Sequence, residues 1–352
     1  MSVDDFPALV GAHIDTFTAR KRRDLAELGP DLEPFLDAAH LAASGGKRLR
    51  AAFCHAGWVA AGGEPGDPRL LWAASSLEWL QASALVHDDV MDASDVRRGR
   101  PSAHRAFEAQ HQAAGWRGDP AQYGVGGAIL LGDLLLSWCD EMLRTCGLPA
   151  ESLDAASPFL DACKAEVVSG QFLDLVGQAR GESSVAAAMR VVHFKSAKYT
   201  VERPLHLGAA LAGASEDLLT ALSAFGLPLG EAFQLRDDVL GVFGDPSVTG
   251  KPAGDDLREG KRTPLLAHTS ARASAAQRGV LDEHLGDPAM DRVALGELRD
   301  IIVSTGALSQ VESDIAGLEG TAGAALAAAP VASESARALL HDLAGRATRR
   351  TS

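Results

Sequence analysis

The sequence predicts an all-α protein: a single bundle of long, mostly antiparallel helices with a site between facing helices. Three observations carry that prediction. Hydrophobic residues make up 46 % of the chain, alanine leads them, and aromatics are only 5 %, a composition that favours helix over strand. Segments at 70–93, 125–146, 158–178, 186–213 and 216–242 carry apolar residues at i, i+3, i+4 and i+7. No run alternates apolar and polar residues as a half-buried strand does.

The elements follow from their punctuation. "AGGEPGDP" (61–68), "GWRGDPAQYG" (115–124), "GLPAESLDAASP" (147–158) and "FGDPSVTGKPAGDD" (243–256) mark the loops. The alanine-rich stretch 321–341 reads as a C-terminal helix interrupted at Pro330. No internal repeat is present. One domain over 1–352 is expected, with a motif-bearing core at about 35–270 and C-terminal helices over 271–352.

Bulk properties narrow the class. A net charge of −14 and a pI near 5.2 argue against a generic nucleic-acid or anionic-membrane surface. The N-terminus "MSVDDFPALV" is acidic and lacks an apolar signal core, and no stretch reaches the length of an apolar membrane span. Cys54, Cys139, Cys146 and Cys163 show neither CxxC nor zinc-finger spacing, so they read as small core residues in a reducing compartment. A cytoplasmic protein with no transmembrane segment is expected.

The chemistry begins at "LVHDDVMDASDVRRGRP" (85–101). On a helix over 70–92, Gln81, Leu85, Asp88 and Asp92 fall on one stripe. Two carboxylates one turn apart repel each other, and a divalent cation reverses the sign. The apolar lead-in "SSLEWLQASALV" is too oily for a solvated helix end. Arg97 and Arg98 follow closely, and guanidinium groups grip phosphate oxygens bidentately. Carboxylates for a metal and arginines for an anion together form a diphosphate clamp.

"EAFQLRDDVLGVFGD" (231–245) repeats the acidic theme, with Gln234, Asp237 or Asp238, and Gly241 on one face. Beyond it, "GKPAGDDLREGKRT" carries Lys251, Arg258, Lys261 and Arg262 on a Gly- and Pro-punctuated loop suited to a lid. "SGGKRLR" (44–50) offers a second anion site. "HFKSAKYT" (193–200) puts Lys195 and Lys198 inside an apolar helix, where each needs a diphosphate or a buried carboxylate.

Taken in order, GGKRLR, DDVMD with RRGRP, GQFLD (170–174), FKSA, FQLRDDVLG and GK…REGKRT resemble the trans-isoprenyl diphosphate synthase (polyprenyl synthetase) family. The resemblance implies the isoprenoid synthase fold, a helical bundle around a prenyl cavity. It implies a Mg2+-dependent prenyltransferase with about three ions per site and Mn2+ as a substitute. Its substrates would be isopentenyl diphosphate and an allylic diphosphate, and its assembly a homodimer. By position, Lys47, Arg50, Gln81 and Arg98 would bind isopentenyl diphosphate. Arg97, Lys195, Ser196, Gln234, Lys251 and Lys261 would bind the allylic diphosphate. Asp88, Asp92, Asp237 and Asp238 would hold metal. Ser196 replaces the family's usual threonine, and Gly241 stands where the second acidic motif has its last aspartate.

The implied reaction is ionisation, head-to-tail condensation and elimination, with no side chain as nucleophile. His87 reads as a supporting residue rather than a base. Aromatic residues four and five places before Asp88 would stop a family member at C15. Here those places hold Ala84 and Ser83, with Leu80 and Leu77 deeper on the same face and Trp79 close to it, so geranylgeranyl diphosphate (C20) is expected. A farnesyl or longer-chain synthase is the alternative product class. A class I terpene cyclase would not need the second anion site. A non-catalytic partner of a synthase would explain Gly241 alone.

Overall fold

Two Asp-Pro steps set the long central helices. Asp67 accepts a hydrogen bond from the Arg69 backbone N–H and starts α4 (Pro68–Met91). Asp119 does the same for Ala121 at the head of α6 (Pro120–Arg144). In each, the carboxylate satisfies an orphan donor, and the following proline is preset for the first helical position. Ser215 caps α10 (Glu216–Phe243) through the Leu218 N–H.

The computed structural model describes residues 6–181, 183–244, 254–287 and 289–348. Before α4 come α1 (Phe6–Asp24), α2 (Glu33–Ala43) and α3 (Leu49–Ala60). Between α4 and α10 lie α5 (Ala103–Ala114), α6, α7 (Ala150–Arg180), α8 (Val185–Val191), a π-helix over Val192–Glu202 and α9 (Arg203–Leu211). After α10 come α11 (Asp255–Arg258), α12 (Pro264–Arg272), α13 (Ala275–His284), α14 (Arg292–Ser304), α15 (Ala307–Ala328) and α16 (Glu334–Thr348). The chain is all-α apart from one small hairpin among the described residues, Val96–Arg97 paired with Arg100–Pro101. That hairpin shapes the arginine loop, where the sequence shows no strand pattern.

Side-chain register shows the antiparallel order. Ser83 donates to the Gly132 carbonyl and Trp79 Nε1–H points at Met142 Sδ, so α6 runs opposite to α4. Glu166 pairs with Arg203 while Asp174 pairs with Lys195, so α7 runs opposite to the π-helix and α9. His193 meets Glu231 while Glu202 meets Ser223, so α10 is antiparallel to the π-helix too. Phe17, Trp79 and Trp138 fill the core between α1, α4 and α6, with ring centroids 5.1–5.7 Å apart. A second apolar cluster joins Leu235, Val239 and Val242 of α10 to Leu257, Leu265, Leu298 and Val311. It anchors the segment that carries Lys261.

The π-helix is sandwiched between two glycines. A Cβ on Gly170 of α7 would lie 2.6 Å from the Lys195 nitrogen, and one on Gly230 of α10 would lie 2.5 Å from Ala197 Cα. Only a hydrogen at each position lets the three backbones approach this closely. Wide i→i+5 turns often occur at functional sites. Here the segment bears Lys195, Ser196 and Tyr199.

The expected elements appear with shifted ends. The loop predicted over 147–158 is shorter, because α7 already begins at Ala150 and keeps Pro158 inside it. The adjacent Ser157 hydroxyl bonds the Leu153 carbonyl. The C-terminal helix predicted across 321–341 is divided between α15 and α16, with Pro330 in the break. By length and composition α10 resembles a membrane span, yet it packs centrally against the π-helix and α15.

Candidate active site

A cavity of about 1020 Å³ opens between α4, α6, α7, the π-helix and α10. Asp88 from α4 and Asp237 and Asp238 from α10 line it from opposite helices. Lys195 from the π-helix joins α7 to α4 beside them, donating to Asp174 at 2.7 Å and to Asp88 at 3.4 Å. Ser196 beside it is buried and also lines the cavity. Asp92 lies one turn beyond Asp88, with its carboxylate 3.9 Å from the Lys261 ammonium.

The field at these carboxylates is mixed. Burial works to raise the Asp88 carboxyl, but Lys195, Lys261 and Arg97 outweigh it and hold it below the ordinary range. Burial, together with the Asp88 charge, pushes Asp92 up to about 6. Burial pushes Asp238 up to about 8, against the Gln234 amide that donates to its Oδ1 at 2.8 Å. Asp238 Oδ2 is buried with no protein hydrogen-bond partner. Lys261 is held well above its ordinary value: burial opposes the charge, and Asp256 and Glu259 override it.

Arg97 and Arg98 are adjacent but serve different sides. Arg97 grips Asp89 through Nε and Nη2 and lies 3.6 Å from Asp88. Arg98 has φ +53° and turns the other way, donating to the Ser44 carbonyl at 2.6 Å beside Gly46. A left-handed non-glycine residue costs backbone energy, and such strain gathers at functional sites. The turn separates the two guanidinium groups.

On the Arg98 side, Lys47 and Arg50 line the cavity, and Arg48, which also reaches it, is buried in an ion pair with Glu78 at 2.8 Å. Arg50 stacks over the Tyr199 ring at 4.1 Å and donates to Thr200 at 2.8 Å. The Tyr199 hydroxyl in turn donates to Gln81 at 2.7 Å. A basic group fixed by an aromatic face and a hydroxyl chain is preorganised for an anion.

Some expected residues lie apart. Leu80, Ser83 and Ala84 line the cavity, but Leu77 is fully buried in the core behind it. Trp79 faces Phe17 and Trp138, because its side of α4 packs on α1 and α6. His87 packs over Gly132 and bonds the Ile129 carbonyl, a structural position at the wall. Lys198 finds Glu202 and Glu166, the buried-carboxylate option. Of the late basic residues, Lys261 and Arg262 line the cavity, whereas Arg258 donates to the Met290 carbonyl. Lys251 lies outside the described residues.

Four contributors carried no assigned role in the sequence. Asp89 holds Arg97, Asp174 holds Lys195, and Tyr199 joins Arg50 to Gln81. Asp256 occupies the space of the side chain that Gly241 lacks. Asp174 ends the GQFLD motif, and Tyr199 is one turn after Lys195, so spacing alone pointed toward both.

The donor set fits Mg2+. All the acidic groups are carboxylate oxygens, one of them orphaned in the wall. Among the described residues no three acidic, His or Cys groups close a metal cage of their own. Mg2+ takes one or two protein carboxylates and shares phosphate oxygens, so a partial cage beside phosphate-gripping cations suits it.

Comparison with known proteins agrees. The family model described as polyprenyl synthetase matches residues 35–302. The chain is 34 % identical over 277 residues to a geranylfarnesyl diphosphate synthase of Aeropyrum pernix, covering 78 % of this chain and 80 % of that one. It is 36 % identical over 241 residues to a geranylgeranyl diphosphate synthase of Mycobacterium tuberculosis, covering 68 % and 63 %. The crystal structure of a geranylgeranyl pyrophosphate synthase from Corynebacterium glutamicum, complexed with isoprenyl diphosphate and magnesium, superposes with a TM-score of 0.95 at 40 % identity, over 99 % of this chain and 100 % of that one. With its helical bundle, its paired acidic walls and the family match over most of its length, the chain belongs to the polyprenyl synthetase family and is a prenyltransferase.

Proposed function

We propose that the protein condenses isopentenyl diphosphate with allylic diphosphates head to tail and releases geranylgeranyl diphosphate. One observation carries the reading: two separate groups of cations flank one apolar cavity with carboxylates on facing walls. Lys47, Arg50 and Arg98 form one group, and Arg97, Lys195 and Lys261 form the other. Two anion sites suit two diphosphate substrates, which a cyclase would not need.

The roles divide accordingly. Lys47, Arg50, Gln81 and Arg98 bind isopentenyl diphosphate. Arg97, Lys195, Ser196, Gln234, Lys251 and Lys261 take the allylic diphosphate. Asp88, Asp92, Asp237 and Asp238 hold about three Mg2+ ions, with Mn2+ able to substitute. When bound, the metal makes the diphosphate a leaving group. The chain itself positions the two substrates, and Leu85, Val90 and Phe233 keep water from the reacting carbons. No side chain acts as nucleophile, and the released diphosphate takes the proton. Small residues at Ser83 and Ala84 leave the cavity open past the C15 stop, which supports C20.

Two further parts belong to this reading. Leu130 of α6 and Val168 and Phe172 of α7 are each about two-thirds exposed, at 64 %, 64 % and 65 %. Exposed apolar side chains on these two helices support a homodimer formed through α6 and α7, which would also cover Val168 and Phe172 where they line the cavity. Four free, buried thiols support a cytoplasmic location.

The test is one set of reactions. Purified protein with isopentenyl diphosphate, Mg2+ and dimethylallyl, geranyl or farnesyl diphosphate should yield C20. Products ending at C15 or running past C30 would overturn the product assignment. Turnover without isopentenyl diphosphate would favour a cyclase. Inactivity of the chain alone would favour a regulatory subunit.

A further inference from the structure

The cavity extends from its carboxylates along α4, α6 and α7. Leu80 of α4, Leu136 of α6, and Lys164 and Val167 of α7 are among the residues that line it. Lys164 stands out as a charged residue on the α6–α7 side, beside Leu136 and Val167. Its position along the cavity follows from α7. Asp174 holds Lys195 beside Asp88 at the acidic end. Lys164 precedes Asp174 by ten residues, a drop of about 15 Å along the helix at about 1.5 Å per residue.

The Lys164 ammonium donates to Asp140 of α6 at 2.7 Å and lies 3.2 Å from Asp161 one turn back on α7. Its side chain is 20 % exposed, while those of Asp140 and Asp161 are 51 % and 73 % exposed. The stem therefore lines the cavity and the charge sits at the boundary with solvent, as amphipathic lysines do. The pair ties α6 to α7 where an extending hydrocarbon chain would emerge. Trp79, beside Leu80 on α4, is turned into the core against Phe17 and Trp138.

We propose that the Lys164–Asp140 ion pair is a chain-length stop at the far end of the prenyl cavity. The idea rests on the prenyl-elongating reading above. A farnesyl tail, extended at about 1.2 Å per main-chain bond, runs about 13 Å. It fills the space from the acidic end to Lys164. A geranylgeranyl tail would have to push between α6 and α7, part the ammonium from Asp140 and surround it with hydrocarbon. The ammonium would keep Asp161 alone, and stripping a charge of one partner and of water while packing hydrocarbon against it is costly, so the C20 chain is refused as a further primer. The stop is electrostatic as well as steric, unlike an aromatic floor.

Product chromatography tests the stop. Wild type, Lys164→Ala, Lys164→Met and Asp140→Ala are each incubated with farnesyl diphosphate, excess isopentenyl diphosphate and Mg2+. Lys164→Met keeps the stem and removes the charge, and thermal unfolding reports whether each variant folds. All three variants should release C25 and longer chains, with the longer fraction raised at least tenfold over wild type. An unchanged product length in the folded variants overturns the stop. Lengthening in Lys164→Ala but not in Lys164→Met or Asp140→Ala overturns its charged nature. The wild-type length by itself tests the C20 assignment, because the stop predicts lengthening relative to whatever wild type makes. If Lys164→Ala does not fold, Asp140→Ala reads the same contact from the other helix.

Discussion

The carboxylate of Asp256 fills the space in which a side chain at Gly241 would stand: a Cβ there would lie 1.8 Å from Asp256 Oδ2. The position that lacks the last carboxylate of the second acidic motif is thus next to a carboxylate delivered from α11. Gly241→Ala should push that carboxylate aside rather than unfold the chain, because its atoms end a flexible side chain. The expected cost is about tenfold in kcat/KM, about 1.4 kcal/mol, with a higher Mg2+ requirement and a nearly unchanged Tm. A Mg2+ titration of activity indistinguishable from wild type would refute the idea.

Asp88 is the hub of the acidic end, within 3.4 Å of Lys195 and 3.6 Å of Arg97. Asp88→Ala should lower kcat on the order of 10³-fold, the scale of several kcal/mol of charge stabilisation. Lys195 keeps Asp174 as a partner, so folding should survive. Initial rates and far-UV circular dichroism check the two halves of this expectation.

Tyr199→Phe keeps the ring under Arg50 and deletes the hydroxyl that donates to Gln81. About 1 kcal/mol, or roughly fivefold, should appear in the KM for isopentenyl diphosphate. The KM for the allylic substrate should stay near wild type. Equal changes in both constants would place Tyr199 elsewhere in the mechanism.

The start of α9, directly after the π-helix, is moored to α7 by Arg203, which donates to both Glu166 oxygens at 2.6 and 2.7 Å. Burial works to raise the Glu166 carboxyl, but Arg203 and Lys198 outweigh it and hold it below its ordinary 4.5. A depressed carboxyl stabilises the fold above its unfolded value, and that share is lost as pH falls through the folded value. The Tm gap between wild type and Glu166→Gln should therefore be full near neutrality and close on descending from pH 4.5. A gap that widens in acid would reverse the assignment.

Phe172 is 65 % exposed on α7. Phe172→Glu places a charge on the proposed face between copies, where like charges would meet across a two-fold axis. Sedimentation should show a shift from dimer to monomer. A wild-type protein that is already monomeric would refute the pairing.

Much of the acidic end was legible in the sequence. Helical spacing alone put Gln81, Asp88 and Asp92 on one stripe, and the run of basic motifs supplied the anion partners. Leu77 and Trp79 were less legible, since a helix of nearly even hydrophobicity has no single buried face. α4 is packed on most sides, and which side meets the cavity depends on where α1 and α6 lie. Asp89 falls off that stripe, yet it is buried and holds Arg97.

Although α6 starts at Pro120, inside the loop expected over 115–124, local patterning by itself determined the helical class, the loop before α4, and the residue types that suit metal and diphosphate. Those features depend on neighbours within a few residues, and periodicity, capping and charge spacing express them directly. Only the tertiary structure decided which groups meet. It set Tyr199 between Arg50 and Gln81, Asp256 beside Gly241, and Lys164 against Asp140. Each of those contacts joins different elements, so its geometry is fixed by helix packing rather than by local sequence.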